Sequence, residues 1–266
     1  MDRQRTLGSV LLSAWFWLIV VFMVFPIFVI IPLSFGSGDL LQFPPQQYGL
    51  RWYHAYINDP LWMQATWLSF KIALISGVIA TITGTMAVIA LERHLGRSRV
   101  AFTYLITSPI IVPHIFIALG IFIFALRNGL SGSQMLLIGA HAMVALPFVV
   151  LIIGASYRQI DPTIERAARV LGAGPMRAFM VATFPSLMPA GVAAFVFAFF
   201  VSFDELIIAQ FLLKGTETLP MRIWANLQLD ISPTVAAVAS LLIVVTTVAM
   251  AGAEILRRRA TQKLAD

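Results

Sequence analysis

Six apolar stretches, at about 10–33, 64–91, 101–126, 133–155, 188–213 and 232–256, alternate along the chain with segments that hold the charges and turn-forming residues. Each reaches the roughly 20 residues a helix needs to cross the hydrocarbon core of a bilayer. An open strand in lipid leaves its backbone groups unpaired, so every stretch is expected to be helical. The pattern predicts an all-α, polytopic membrane protein with six transmembrane helices in a single domain over residues 1–266. No small-residue cleavage site follows the first stretch, so it is read as a span and not as a leader. Prolines fall inside several spans, at Pro26 and Pro32, Pro109 and Pro113, and Pro147, where each removes a backbone hydrogen bond and can kink a helix. The halves show no internal repeat, which argues against a single-chain secondary transporter.

Composition supports the membrane reading. Of 266 residues, 59% are hydrophobic and 11% charged, against roughly 25% charged in soluble domains. Cysteine is absent, which excludes disulfides and thiolate metal sites. The net charge of +6 does not point to nucleic acid, because the basic residues sit at the ends of apolar runs. One set of connections holds Arg3 and Arg5, then Arg93, Arg97 and Arg99, then Arg158, Arg166, Arg169 and Arg177, and last Arg257, Arg258, Arg259 and Lys263. The opposite set holds Arg51, Arg127, Lys214 and Arg222. The positive-inside rule assigns the richer set, and both termini, to the cytoplasm. The first outer segment, about 34–63, carries Phe43, Tyr48, Trp52, Tyr53, Tyr56 and Trp62. Such rings suit an interfacial belt, and also a docking surface for an external partner.

The long cytoplasmic loop, 156–187, is the most informative segment. Asp161-Pro162 is a helix start, with a capping carboxylate before a proline at the first helical position. Ile164, Ala167, Ala168 and Leu171 then follow the spacing of one helical face, with Glu165, Arg166 and Arg169 mainly off it. Gly172 and Gly174 are expected to end the helix in left-handed backbone, and Pro175 to begin a second. A short helix with an Ala-rich face is a weak lipid anchor and a good insert for a groove on another protein.

This loop resembles the EAA loop of binding-protein-dependent ABC importer permeases. Arg166-Ala167-Ala168-Arg169-Val170-Leu171-Gly172-Ala173, with Phe184-Pro185 downstream, keeps both spacings of that motif. Arg166 stands where the motif has Glu, Ala182 where it has Ile and Phe184 where it has Leu, while Glu165 comes one residue early. The resemblance makes Glu165 through Arg169 and Leu171 through Ala173 the coupling segment that sits in a cleft of a cytosolic ATPase. It extends to Leu50-Arg51-Trp52-Tyr53, Asp59-Pro60, Ser69, Ser202-Phe203-Asp204-Glu205 and Thr218-Leu219-Pro220-Met221, which look like the polyamine branch. It implies a type I permease fold in the bacterial cytoplasmic membrane. It also implies a second, homologous permease subunit, two ATPase subunits that hold ATP and Mg, and an extracytoplasmic solute-binding protein.

Asp204 and Glu205 lie deep in the fifth stretch, where carboxylates are costly and face a cavity or a partner. They are candidates for a cation path, or alternatively for a gate or an interhelical bond. His114, after Pro113, is a further path candidate; a lone His of this kind, like His141, is more often a packing residue. Lys71 is expected to snorkel. No P-loop or nucleophile elbow is present, so neither catalysis nor a cofactor of its own is expected of this chain. The alternatives are an opine, aminophosphonate or other small-solute importer, an ATPase-independent transporter or channel, and a membrane scaffold. The buried acids argue against the scaffold.

Overall fold

The computed structural model describes residues 7–93, 96–229 and 232–263. Arg3 and Arg5 lie outside them, as do the side chains of Arg97, Arg257, Arg258, Arg259 and Lys263. The described residues are helical nearly throughout, with one isolated bridge, Gly36 to Tyr48. The helices are α1 Leu7–Ser34, α2 Arg51–Asn58, α3 Pro60–Arg93, α4 Arg99–Thr107, α5 His114–Arg127 and α6 Gln134–Tyr157. They continue as α7 Pro162–Val170, α8 Pro175–Ala178, α9 Phe184–Phe203, α10 Ile207–Leu212, α11 Leu219–Leu229 and α12 Pro233–Lys263. Five helical stretches are long and apolar enough to cross a bilayer, six if one bent pair counts as a single span.

The chain divides into two compact units. The first is Met1–Met63 with Ile223–Thr247. Within it Ser34 Oγ lies 2.7 Å from Tyr53 OH, which donates at 3.3 Å to Ser240 Oγ. Arg51 pairs with Asp39 at 2.9 Å, and Trp52 Nε1 donates to Gly38 O. The aromatics of this segment do not form one belt. Tyr56 and Trp62 are buried edge to face, while Phe43 and Tyr48 stay exposed.

The second unit, Gln64–Arg222 with Val248–Asp266, holds both buried clusters. Its centre is α6, packed along α9. The packing follows membrane logic, with small residues inside and large apolar ones outside. Ala73, Ala80, Ala118, Ala125, Ala145, Ala194 and Ala198 are fully buried, while Trp67, Met86, Phe116 and Ile111 are exposed. Gly84 shows why: a Cβ there would come within 2.5 Å of Val149 Cγ1, so α3 reaches α6 only through glycine.

Two predicted spans are corrected. The third is not one helix over 101–126; α4 and α5 meet at 92°. Pro109 and Pro113 remove two donors within five residues, and extended backbone at Pro113 (ψ 131°) ends one helix and starts the next. The fifth does not run over 188–213. The apolar helical stretch begins at Pro175 and ends at Phe203, and α10 turns back against α5. Pro185 and Pro189 both lie within α9, the first in its opening turn. A π-helical turn at Phe179–Thr183, closed by Phe184 N–H to Phe179 O, precedes Pro185 and loosens the winding where that proline withholds its donor.

Candidate functional site

Two polar clusters of the second unit carry the candidate residues. The first surrounds α7. Its start is as read from the sequence, with Asp161 accepting from Thr163 N–H at 2.8 Å and Pro162 following. That backbone bond holds the Asp161 carboxyl below its ordinary range. Its end is a left-handed Gly172, φ +91°, with Ala173 N–H returning to Ala168 O at 3.1 Å. Gly174 is corrected: with φ −63° and ψ 162° it is extended backbone that any residue adopts, so one glycine closes the helix and not two.

The described residues leave the anticipated apolar face of α7 largely uncovered. Ile164 and Ala167 are exposed, Ala168 and Ala173 are half-buried, and Val170 and Leu171 are each 87% exposed. Arg166, Arg169 and Gly172 are exposed with them. Glu165 behaves differently. Its Oε2 pairs with Arg93 at the end of α3 and accepts from Thr183 Oγ1 at 2.6 Å, in the π-helical turn. Burial alone would raise the Glu165 carboxyl, but the Thr183 and Arg93 hydrogen bonds outweigh it and hold the group below its ordinary value. Arg93 is itself placed by Tyr157 OH at 2.9 Å and by the Phe179 ring, 5.1 Å from the guanidinium carbon. Beside it, Glu92 accepts from Arg99 at 2.7 Å and Arg158 at 3.2 Å. Glu165 therefore ties α7 to α3 and to the root of α9. The sequence did not reveal Arg93 or Thr183 as partners of Glu165, because they lie 72 and 18 positions away and no local pattern joins them.

The second cluster sits at the two helix breaks. Asp204 and Glu205 are not inside a helix but follow the end of α9. Glu205 is buried, and both its oxygens are used. Oε1 accepts from Ile208 N–H at 3.0 Å, capping α10, and Oε2 lies 2.7 Å from His114 Nδ1. His114 starts α5, immediately after the proline break. Glu205 thus joins the two broken spans. Asp204 is exposed; its N–H closes α9 on Phe200 O at 3.0 Å, while its carboxylate has no hydrogen bond among the described residues. Next to this cluster His141 Nδ1 lies 2.8 Å from Ser202 Oγ, wholly buried, as a packing histidine would be. Lys71 Nζ reaches Gln134 Oε1 at 3.4 Å from an exposed position. Among the described residues no cluster could hold a metal ion.

Comparison with known proteins gives the context for this geometry. Residues 84–262 match the family model described as "Binding-protein-dependent transport system inner membrane component". The chain is 32% identical over 231 residues to the putrescine transport system permease protein PotI of Escherichia coli K12, covering 84% of this chain and 82% of that one. It is 26% identical over 257 residues to the spermidine/putrescine transport system permease protein PotC of the same strain, covering 96% and 97%. Among solved structures, a chain of a bacterial ABC transporter involved in the import of the acidic polysaccharide alginate matches with TM-score 0.71 at 15% identity, covering 96% of this chain and 98% of that one. A chain of the MetNI methionine ABC transporter matches with TM-score 0.62 at 17% identity, covering 75% and 96%. Both share the fold. Family membership implies an ATPase, a binding protein and a paired permease as partners, and leaves this chain no cofactor-binding group of its own. With the family model over residues 84–262 and a relative above 30% identity over most of its length, the chain belongs to the binding-protein-dependent inner membrane permeases, the non-catalytic multi-pass subunits of bacterial ABC importers.

Proposed function

We propose that this permease moves a small cationic solute of the polyamine class, with α7 seated in a cytosolic ATPase subunit as its coupling helix. The observation that carries the substrate reading is Asp204. It is an exposed carboxylate at the end of an apolar helix, without a hydrogen bond among the described residues, beside a Glu205 already paired to His114. An ammonium group shedding water is stabilised by such a carboxylate far more than in bulk solution. The printed substrates of two relatives, putrescine and spermidine, are of the same chemistry.

On this reading Glu205 and His114 hold the two helix breaks together, and Asp204 offers the charge to the path. Loaded receptor delivers solute, ATP closes two ATPase subunits, and α7 passes that motion to the spans through Glu165 and the π-helical turn. A homologous second permease completes the path. Both termini face the cytoplasm, as the arginine distribution supports. The exposed apolar side of α7 supports the docking reading, because a face of Ala167, Val170 and Leu171 is left for a partner to cover.

The test is a solute panel on the purified receptor, followed by uptake in the reconstituted complex: putrescine, spermidine, an aminophosphonate, an opine-like conjugate and a dicarboxylate. Putrescine or spermidine is expected to bind and be taken up, and Asp204→Asn to cut uptake without altering receptor affinity. Receptor binding confined to an anionic solute would overturn the cation reading.

A further inference from the structure

We propose that the ATPase cleft receiving α7 is rimmed with carboxylates, so that docking in this importer is steered by arginines of the permease. The inference rests on the docking reading of α7 and concerns the chemistry of the surface it meets. Around the exposed Val170, Leu171 and Met176 stand Arg166, Arg169 and Arg177, all exposed and none in an ion pair among the described residues. Of the two acids of the same segment, Glu165 is turned into the fold and Asp161 stays exposed. Glu165 is spent on Arg93 and Thr183, and the Asp161 carboxylate caps Thr163 N–H. The outward surface is therefore an apolar patch with a predominantly positive rim, three arginines and the single exposed carboxylate of Asp161. Interfaces of this make-up pair an apolar centre with a charged rim, and the rim sets encounter rate and partner choice.

Arg166 makes the point sharper, because it stands at the position where the family's motif has a glutamate. The glutamate of this chain, one residue earlier, faces its own fold. An ATPase surface built to receive a carboxylate there would repel Arg166, so the partner of this chain must present the opposite sign. Anionic headgroups are the other source of negative charge within reach. The apolar residues here are few and the helix spans only nine residues, Pro162–Val170, which favours a protein cleft over a lipid surface.

The test uses the whole complex, purified through a tag on this chain and held in nanodiscs containing phosphatidylserine. Retained ATPase is quantified after washes at low and high salt. The double charge reversal Arg166→Glu with Arg169→Glu is expected to lower retention about tenfold at low salt, and wild-type retention is expected to fall as salt screens the rim. Separately, Arg166→Lys followed by carbodiimide is expected to couple the new amine to an Asp or Glu of the ATPase, mapped by mass spectrometry. Coupling to the phosphatidylserine carboxylate alone would assign the arginines to lipid and overturn the proposal. Full retention by the charge-reversed complex would overturn it as well. Ala168→Asp separates the two readings. If that variant loses the ATPase while charge reversal is silent, docking stands and the acidic rim falls; if neither variant loses it, the docking reading falls too.

Discussion

The α7 cluster and the helix-break cluster solve a similar problem with adjacent residues. In Glu165-Arg166 and in Asp204-Glu205, one residue is spent on the fold and its neighbour is left outside. Glu165 joins α7 to α3 and the π-helical turn, while Arg166 faces outward. Glu205 joins α5 to α10, while Asp204 faces outward. They differ in setting. Glu165 keeps an 18% exposed side chain, whereas that of Glu205 is 6% exposed at the junction of α9 and α10. Removing the inward residue should therefore cost stability at both places, and more at the second, while removing the outward residue should cost function alone.

The largest effect is expected from Glu205→Ala. It strands the buried Ile208 N–H and takes the partner from half-exposed His114, at about 2–3 kcal/mol, and should appear as a lower melting temperature and poor recovery from the membrane. Glu205→Gln keeps an acceptor for Ile208 and should lose less. A Glu205→Ala protein as stable as the wild type would break the comparison.

Glu165→Ala is expected to cost less, about 1–2 kcal/mol, because Arg93 is partly exposed and keeps Tyr157. Thr183→Val removes a single hydrogen bond and should cost about 1 kcal/mol. Uptake per ATP hydrolysed is expected to fall in both, since the link from α7 to α9 is loosened. An unchanged ratio would limit the brace to a purely structural role.

The pH dependence sharpens the Glu165 side of the comparison. Its folded carboxyl lies below the ordinary value of 4.5, so its stabilisation is fully present above that pH. It is lost as pH falls through the still lower folded value. The stability gap between wild type and Glu165→Gln should thus be constant near neutrality and close below about pH 4.5. A gap that widens on acidification would contradict the assignment. Gly172→Val forces a β-branched residue into φ +91° and should cost about 1–2 kcal/mol locally, read as faster proteolysis of the loop.

What could be read from the chain divides along the same line. The cap at Asp161, the proline after it, the turn at Gly172 and the helix start at Pro175 are fixed by rules acting over a few residues, and the structure bears each out. The spans other than the third and fifth were likewise legible, because length and apolarity decide them. The right-angle break was not. Two prolines permit a kink of any size, and the 92° bend is set by what α5 packs against. The partners of the charges were equally hidden. Arg93 lies 72 positions from Glu165, and no local pattern records that they meet. For Asp204-Glu205 the apolar run concealed a stop and a cap. An acidic pair breaking such a run is the signal that a span ends and a short helix begins.

The central claim is that Asp204 carries the cation while Glu205 carries the fold. It is tested most directly by measuring uptake and melting temperature side by side for Asp204→Asn and Glu205→Gln in the receptor-loaded, reconstituted complex. Asp204→Asn is expected to cut ATP-driven putrescine uptake about tenfold or more, a loss of about 1.4 kcal/mol in transition-state stabilisation, with a melting temperature unchanged from the wild type. Glu205→Gln is expected to lower the melting temperature. Undiminished uptake of putrescine by Asp204→Asn, or a melting temperature that falls with Asp204 and not with Glu205, would contradict it.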